Sequence, residues 1–311
     1  MATIRSAAPT DHDAILGVWR RAVEATHPFL SPADVDDLGT DVERYLPLMP
    51  DLRVAVDGDR VLGFAAADGD TVEMLFVDPS VHRSGVGTAL LDAVTAGHDV
   101  VHLDVNEQNP TARRYYAARG FLPVSRSATD GEGRAFPVLH LERRVLTEPS
   151  GGREDWERRV ADLWADESIG DQERIGRTGL LAAAAPHPAL GAFELGGSLD
   201  SAGYEVEADV HYAAATAAGL ADVDPARAAQ LVVQHASTLR NLGRTDEAVV
   251  MLREAPSHPS TGAAPRVFLA LALHSAGRSA EALRVAIEAV EPTLPRYNRS
   301  VRAYAAALTE D

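Results

Sequence analysis

The 311-residue chain contains no cysteine. That excludes disulfides, thiolate nucleophiles and cysteine-ligated zinc or iron–sulfur centres. It contains no lysine either, all 29 basic residues being arginine. A Walker-type phosphate lysine, a Schiff base and a biotin attachment point are excluded with it. Positive charge is scarce overall: 46 acids against those arginines leave a formal net charge of -17. A surface of that sign repels phosphate backbones and anionic lipid, so neither nucleic acid nor membrane is expected as a partner. Long apolar runs are missing too; none approaches the ~20 residues needed to cross a bilayer. Acids at Asp11 and Asp13 come too early for a secretory leader. The expectation is a cytoplasmic enzyme or interaction protein.

The length is about twice that of a common domain, which predicts two. Residues 1–146 mix β-branched runs (Leu52–Val56, Arg60–Ala65, Val72–Asp78, Val100–Val105, Phe136–Leu141) with helical periods. Beyond Glu148-Pro-Ser-Gly-Gly152 the strand runs stop and alanine-rich helical segments take over, so residues 147–152 read as a linker and 153–311 as an all-helical domain. In the first domain a strand at Thr3–Ser6 precedes a helix from about Thr10 to Ala25. Ser31-Pro32-Ala33-Asp34 is a capping signature that opens a second helix. Asp57-Gly58-Asp59 reads as a hairpin turn. The order of strand, two helices, three antiparallel strands, helix, strand, helix and strands predicts an α/β domain, one mixed sheet with flanking helices.

One segment carries chemistry. The strand Val72–Asp78 ends at Pro79, a short polar turn follows, and Gly85 and Gly87 open an apolar helix. Glycines there let backbone N–H groups crowd around a ligand, and the unpaired amides of a helix N-terminus favour an anion. Arg83 can add a charge-assisted contact. An ordinary helix start is the competing reading. A dinucleotide-binding loop is disfavoured, because Leu90 stands where the third glycine is needed and the loop does not follow the first strand. Downstream, Asn109-Pro110 suits a helix start and Gly120 its end, predicting three helical turns that carry Tyr115 and Tyr116. A Tyr-Tyr pair before Gly-Phe is, on its own, ordinary core packing.

Taken together, Leu75–Pro79, His82–Gly87, Val105–Asn109, Ala112–Phe121 and the early Ala25–Leu30 resemble the GNAT superfamily of acyl-CoA N-acyltransferases over roughly residues 1–145. The resemblance implies acetyl-CoA as cosubstrate, its pyrophosphate on the loop His82, Arg83, Ser84, Gly85, Val86, Gly87 and Thr88, with His82 replacing the family's Gln or Arg. It implies pantetheine contacts from the bulged strand at Leu75, Phe76 and Val77, the Val77 amide as oxyanion donor, and a cofactor-side asparagine at Asn109. It puts the general acid that protonates the leaving thiolate on Tyr116. For the general base Glu73 is the first candidate and His27 the second. Each has a plain structural alternative, a solvent-facing acid or a packed histidine, and His102 and His140 read as structural. Glu73 shares the face of Leu75 provided no bulge intervenes. No metal is called for. Without cysteine, direct attack in a ternary complex is expected, on a primary amine of a small molecule, peptide or protein.

In the second domain, Leu199–Ala208, Leu239–Ala248 and Leu273–Ala282 share one pattern, a glycine five residues before an alanine. Gly203, Gly243 and Gly277 lie 40 and 34 residues apart, the latter being the tetratricopeptide period. Arg153–Asp166 and Ile169–Ala184 supply leading helices and Val301–Leu308 a cap; extra residues around Asp222–Pro225 predict a longer loop. Such stacks bind peptides, self-associate or extend a surface. Arginines at 240, 244, 278, 284, 296, 299 and 302 line either a carboxylate-binding groove or, the stronger expectation, a solvated face. The favoured reading is an acetyl-CoA-dependent N-acetyltransferase fused to helical repeats. Its rival is a non-enzymatic acyl-CoA-binding scaffold.

Overall fold

The computed structural model describes residues 2–145 and 152–309. The chain falls into two compact units, Met1–Val145 and Leu146–Asp311. Of the expected linker, residues 147–151 lie outside the described residues; Gly152 is the N-cap of the first helix that follows.

The first unit runs β1 (Thr3–Ser6), α1 (His12–Thr26), α2 (Pro32–Tyr45), β2 (Asp51–Asp57), β3 (Arg60–Asp68), β4 (Thr71–Val77), α3 (Val86–Thr95), β5 (Val100–Asn106), α4 (Pro110–Ala117), β6 (Leu122–Ser127) and β7 (Val138–Arg144). Ser31 caps α2 as its sequence predicts: its hydroxyl accepts from the Asp34 amide while the Asp34 carboxylate accepts from the Ser31 amide, worth about 1 kcal/mol. The helix α4 spans eight residues rather than three turns. Its chain turns away at Ala118, where the Arg119 and Phe121 amides both donate back to the Tyr116 carbonyl.

The strands form one seven-stranded sheet in the order β1-β2-β3-β4-β5-β7-β6, antiparallel except where β4 meets β5. Neighbouring residues on β3 show the layering. Phe64 joins Ile15, Val18 and Trp19 in a core under α1 and α2, while a Cβ on Gly63 would stand 3.1 Å from Leu90 of α3. Helices therefore cover both faces, as the period-two alternation of a strand requires.

The second unit is a stack of helices: α5 (Arg153–Ala165), α6 (Asp171–Ala183), α7 (Pro188–Ser201), α8 (Glu205–Ala217), α9 (Leu220–Val223), α10 (Pro225–Asn241), α11 (Thr245–Arg253), α12 (Ala264–Ser275), α13 (Ser279–Val290) and α14 (Asn298–Ala307). Gly203, Gly243 and Gly277 turn the chain at φ of 80°, 77° and 76°. Ala208, Ala248 and Ala282, five residues on, are buried where the paired helices touch. The expected loop near Asp222 is instead the single turn α9, after which Asp224 and Pro225 cap α10. On α7, small residues admit close neighbours. A Cβ on Gly191 would lie 2.5 Å from the Ala182 carbonyl, and one on Gly196 2.7 Å from the Tyr212 ring.

Candidate active site

The site begins as a defect in the sheet. Strands β4 and β5 pair only at Thr71–His102 and Val72–Leu103, then separate. On the other edge of β4, the Asp78 N–H donates to the Leu62 carbonyl at 2.8 Å. In an antiparallel ladder, successive residues alternate between facing the partner strand and facing away. Val77 and Leu75 consequently turn their N–H and C=O groups toward the opening. The ring of His82 meets the Val77 carbonyl at 3.1 Å through Nε2, which leaves the Val77 N–H as the donor exposed there. His82 thus fastens the loop to the strand. Phe76 lines the same cavity, but its main chain is committed to β3 and its ring to Phe64 and Trp19. Of these three residues, only Leu75 and Val77 turn their main-chain groups to the opening.

At one end of the opening stands the start of α3. Gly85, its N-cap, has φ 87°, a left-handed conformation that a side chain would strain. The first helical bond runs from Ala89 to Gly85, so the amides of Val86, Gly87 and Thr88 precede the ladder and face outward. A Cβ on Gly87 would approach the Tyr115 hydroxyl at 3.4 Å and Val77 Cγ2 at 3.5 Å; glycine keeps the space in front of these amides open. Arg119 adds positive charge beside it. Its guanidinium lies 3.5 Å over the Tyr115 ring and donates to Thr88 Oγ1 and the Tyr115 carbonyl. Two expected loop residues are occupied otherwise: the Ser84 hydroxyl donates to the Val81 carbonyl, and the Val86 side chain is buried, leaving only its amide for a ligand.

Asn109 caps α4, its Oδ1 accepting from the Ala112 amide at 3.0 Å. The helix carries Tyr116 into the wall of the opening, where its ring packs edge-on to Tyr115 and Phe121. Burial pushes the Tyr116 phenol well above its ordinary range, with Tyr115 adding to the shift. A phenol so held remains protonated and keeps its proton available to donate.

Carboxylates gather at the other end. Pairing of Ala66 with Met74 and Ala67 with Val72 leaves Glu73 as the extra residue of a β-bulge. Alternation therefore does not decide its direction, but Glu73 lines the cavity, as does Asp104 of β5. Partial desolvation, then the nearby Asp104 and Asp68, raise the pKa of Glu73, which stays exposed on its outer side. Asp104 is held from behind: His140 Nδ1 lies 2.6 Å from its Oδ1, and Ser127 Oγ lies 2.7 Å from His140 Nε2. His140 is accordingly structural in a specific sense, since it orients a carboxylate at the cavity.

His27 also reaches the cavity. Thr26 donates to the Ala22 carbonyl, so the Thr26 hydroxyl accepts from His27 Nδ1 at 2.8 Å and the lone pair is assigned to Nε2. Burial lowers its pKa, which keeps the ring neutral.

One cavity of about 610 Å³ thus unites Tyr116, Glu73, His27, Leu75, Phe76, Val77, His82, Arg83, Gly85, Gly87, Thr88 and Asn109. Ser84 and Val86 are not among its lining residues. Asp104, Tyr115 and Arg119 line it as well; the last two lie in the Ala112–Phe121 stretch without a role assigned to them, and no motif marks Asp104. An Arg four residues after a Tyr is the only further sequence sign of the Tyr115 and Arg119 pair. Among the described residues no cluster of acids and histidines could hold a metal ion, and no helix is long and apolar enough to cross a membrane.

A family description for the acetyltransferase (GNAT) domain matches residues 50–137, and one for the tetratricopeptide repeat matches residues 189–308. The peptidyl-lysine N-acetyltransferase YjaB of Salmonella typhimurium is 34% identical over 141 residues, covering 45% of this chain and 97% of that protein. YjaB of Escherichia coli is 35% identical over 140 residues, covering 45% of this chain and 95% of that protein. The solution structure of apo-form YjaB from Escherichia coli covers 46% of this chain and 97% of that one, at 34% identity and a TM-score of 0.43. The chain belongs to the GNAT acetyltransferases. It is an N-acetyltransferase whose second unit is a tetratricopeptide-like stack, and the YjaB proteins are matched along nearly their whole length by less than half of it.

Proposed function

We propose that this protein transfers an acetyl group from acetyl-CoA to the ε-amine of a lysine in another polypeptide, by direct attack with both substrates bound. The observation that carries the reading is the single cavity, which joins a helix-start anion cradle, a protonated tyrosine and a pair of carboxylates. The YjaB relatives are named as peptidyl-lysine acetyltransferases, and the acidic end suits an acceptor that arrives as an ammonium ion. Bound acetyl-CoA supplies a thioester, an acyl group activated toward amines.

This chain's own groups do the rest. The amides of Val86, Gly87 and Thr88 hold the diphosphate, with Arg119 beside them. The Val77 N–H donates to the carbonyl oxygen as negative charge grows on it. Glu73 and Asp104 receive the ammonium, and Glu73, whose pKa partial desolvation has raised, accepts its proton; His27 Nε2 is the second acceptor within the cavity. As the carbon–nitrogen bond forms and the carbon–sulfur bond breaks, the Tyr116 hydroxyl gives its proton to the departing sulfur, while the surplus proton on the new amide nitrogen passes to His27 Nε2 or water and solvent returns a proton to Tyr116. Asp104 acts on the acceptor rather than the donor, and His140 and Ser127 fix its direction.

The test is mass spectrometry of a lysine-containing peptide incubated with the full chain and acetyl-CoA. The expected product carries one acetyl group per modified lysine. A Glu73→Gln variant should lower kcat most near neutral pH, where Glu73 is ionised and free amine is still scarce, with the deficit shrinking toward alkaline pH, and leave donor affinity unchanged. Absence of transfer to any lysine peptide, with donor bound, would overturn the acceptor assignment.

A further inference from the structure

The helical unit has a cavity of its own, of about 570 Å³, walled by α5, α7 and α10 with Tyr212 of α8. Its chemistry is opposite in sign to the carboxylate-binding groove that the arginines of this region allow. Arg244, Arg278, Arg284 and Arg302 pair with acids and none of them lines it. Four carboxylates line the cavity, Glu157, Glu194, Asp200 and Asp224, against one cation, Arg227. That guanidinium is already spent on three of them, at 2.6 Å from Glu157 and 2.9 Å from both Glu194 and Asp224. The fourth, Asp200, has no cation within ion-pair distance among the described residues. It accepts from the Thr238 hydroxyl at 2.8 Å and, at a long 3.5 Å, from Tyr212.

Two further observations point to a donor arriving from outside. Gln234 lines the cavity, and its Oε1 is shut from solvent with no hydrogen bond among the described residues. The apolar wall is aromatic: Trp164, Phe193 and Tyr212. Trp164 is held in place by its indole N–H, which donates to Glu194 at 2.8 Å. An unpaired carboxylate beside aromatic rings is the arrangement that takes a methylene stem with an ammonium at its tip.

We propose that this groove binds a lysine side chain of the acceptor polypeptide, a recognition site supplied by the repeats. The occupant is not a second copy of this chain, because the chain contains no lysine. The cation site stands on the groove itself; naming its occupant as an acceptor polypeptide rests on the lysine transfer proposed above. Burial raises the Asp200 pKa, and an entering ammonium would supply the missing partner.

The experiment titrates a tryptophan-free, lysine-rich peptide into the full chain without acetyl donor, read by calorimetry and tryptophan fluorescence. Asp200→Asn should weaken binding about tenfold or more, the loss of one charge-assisted contact. Acetylating every lysine of the peptide should do the same, while Asp162→Asn, at an exposed acid that lines neither cavity, should leave affinity unchanged. Should Asp200→Asn disturb the circular dichroism spectrum, Gln234→Met replaces it, with weaker binding again expected. Equal affinity of the folded variant, equal affinity of the acetylated peptide, or spermidine binding as tightly as the peptide would each overturn the proposal. The two readings fail separately. Binding without transfer removes the lysine chemistry and keeps the cation site; transfer with a groove variant that binds normally removes the groove.

Discussion

The two cavities are of similar size and are made in different ways. In the sheet unit the opening comes from main chain: two strands that part, a bulge, and a helix start whose amides face outward. In the helical unit the backbone is regular and the polar character comes from side chains, whose meaning depends on which acid Arg227 has already taken. A site built from backbone needs glycines, caps and turns at fixed places. A site built from side-chain pairing needs only charges that happen to be left over.

The largest expected effect breaks the backbone-made site. Gly87→Trp should reduce coenzyme A affinity at least about 100-fold by calorimetry, because its side chain would project into the cradle beside Tyr115 and Val77. Unchanged affinity would move the donor elsewhere. Next, Tyr116→Phe should lower kcat about 100-fold, the lower range of general-acid contributions, while donor affinity stays the same; an equal loss of both would make the tyrosine a binding group. On the helical side, Gly191→Leu forces a side chain against the Ala182 carbonyl. It should destabilise that unit by about 3 kcal/mol in urea unfolding, and coenzyme A binding should persist.

The smallest effect sharpens the contrast through two aspartates of opposite character. Asp78 is buried and accepts from Ser80, then Arg21, which hold its pKa well below the ordinary range; Asp11, paired with Arg5, sits at about 2. A depressed folded pKa gives stability that is present above the unfolded value near ~4 and lost as pH falls through the folded one. The sheet unit should thus weaken on acidification below pH ~4. Asp78→Asn should cost about 1 kcal/mol at neutral pH, discounted because Arg21 is half exposed. Asp200 has the reverse sign. Its raised pKa means the folded charge is unfavourable at neutral pH, so Asp200→Asn should leave the helical unit as stable or slightly more so, even as peptide binding drops. Equal denaturation shifts in both variants would erase the distinction.

The same contrast decides what can be read from the sequence. Ser31-Pro32, Asn109-Pro110, Gly85 with Gly87, and the three turn glycines are local signals, and each stands where its spacing predicts. Asp224-Pro225 is the same cap-and-proline signature, but the single turn of helix just before it is too short to show a period and reads as loop. What escapes depends on contacts far apart in the chain. Asp104 reads as an ordinary exposed acid until His140, 36 residues away, and Ser127 are folded against it. The bulge that takes Glu73 out of simple alternation is set by register with β3, which no residue of β4 announces. The acidic groove depends on which carboxylates Arg227 neutralises, a tertiary fact.

The parted strands have a bearing on how the protein behaves in a crowded solution. Unpaired main-chain groups along a sheet normally invite another chain to dock and start aggregation. Here they lie in the interior of a seven-stranded sheet, with β4 bonded to β3 on one side and β5 to β7 on the other, and on β4 they come down to Leu75 and the Val77 N–H, the Val77 carbonyl being met by His82. So short a stretch is a poor template for a foreign strand, and the molecule keeps unsatisfied backbone available to a small ligand without becoming adhesive.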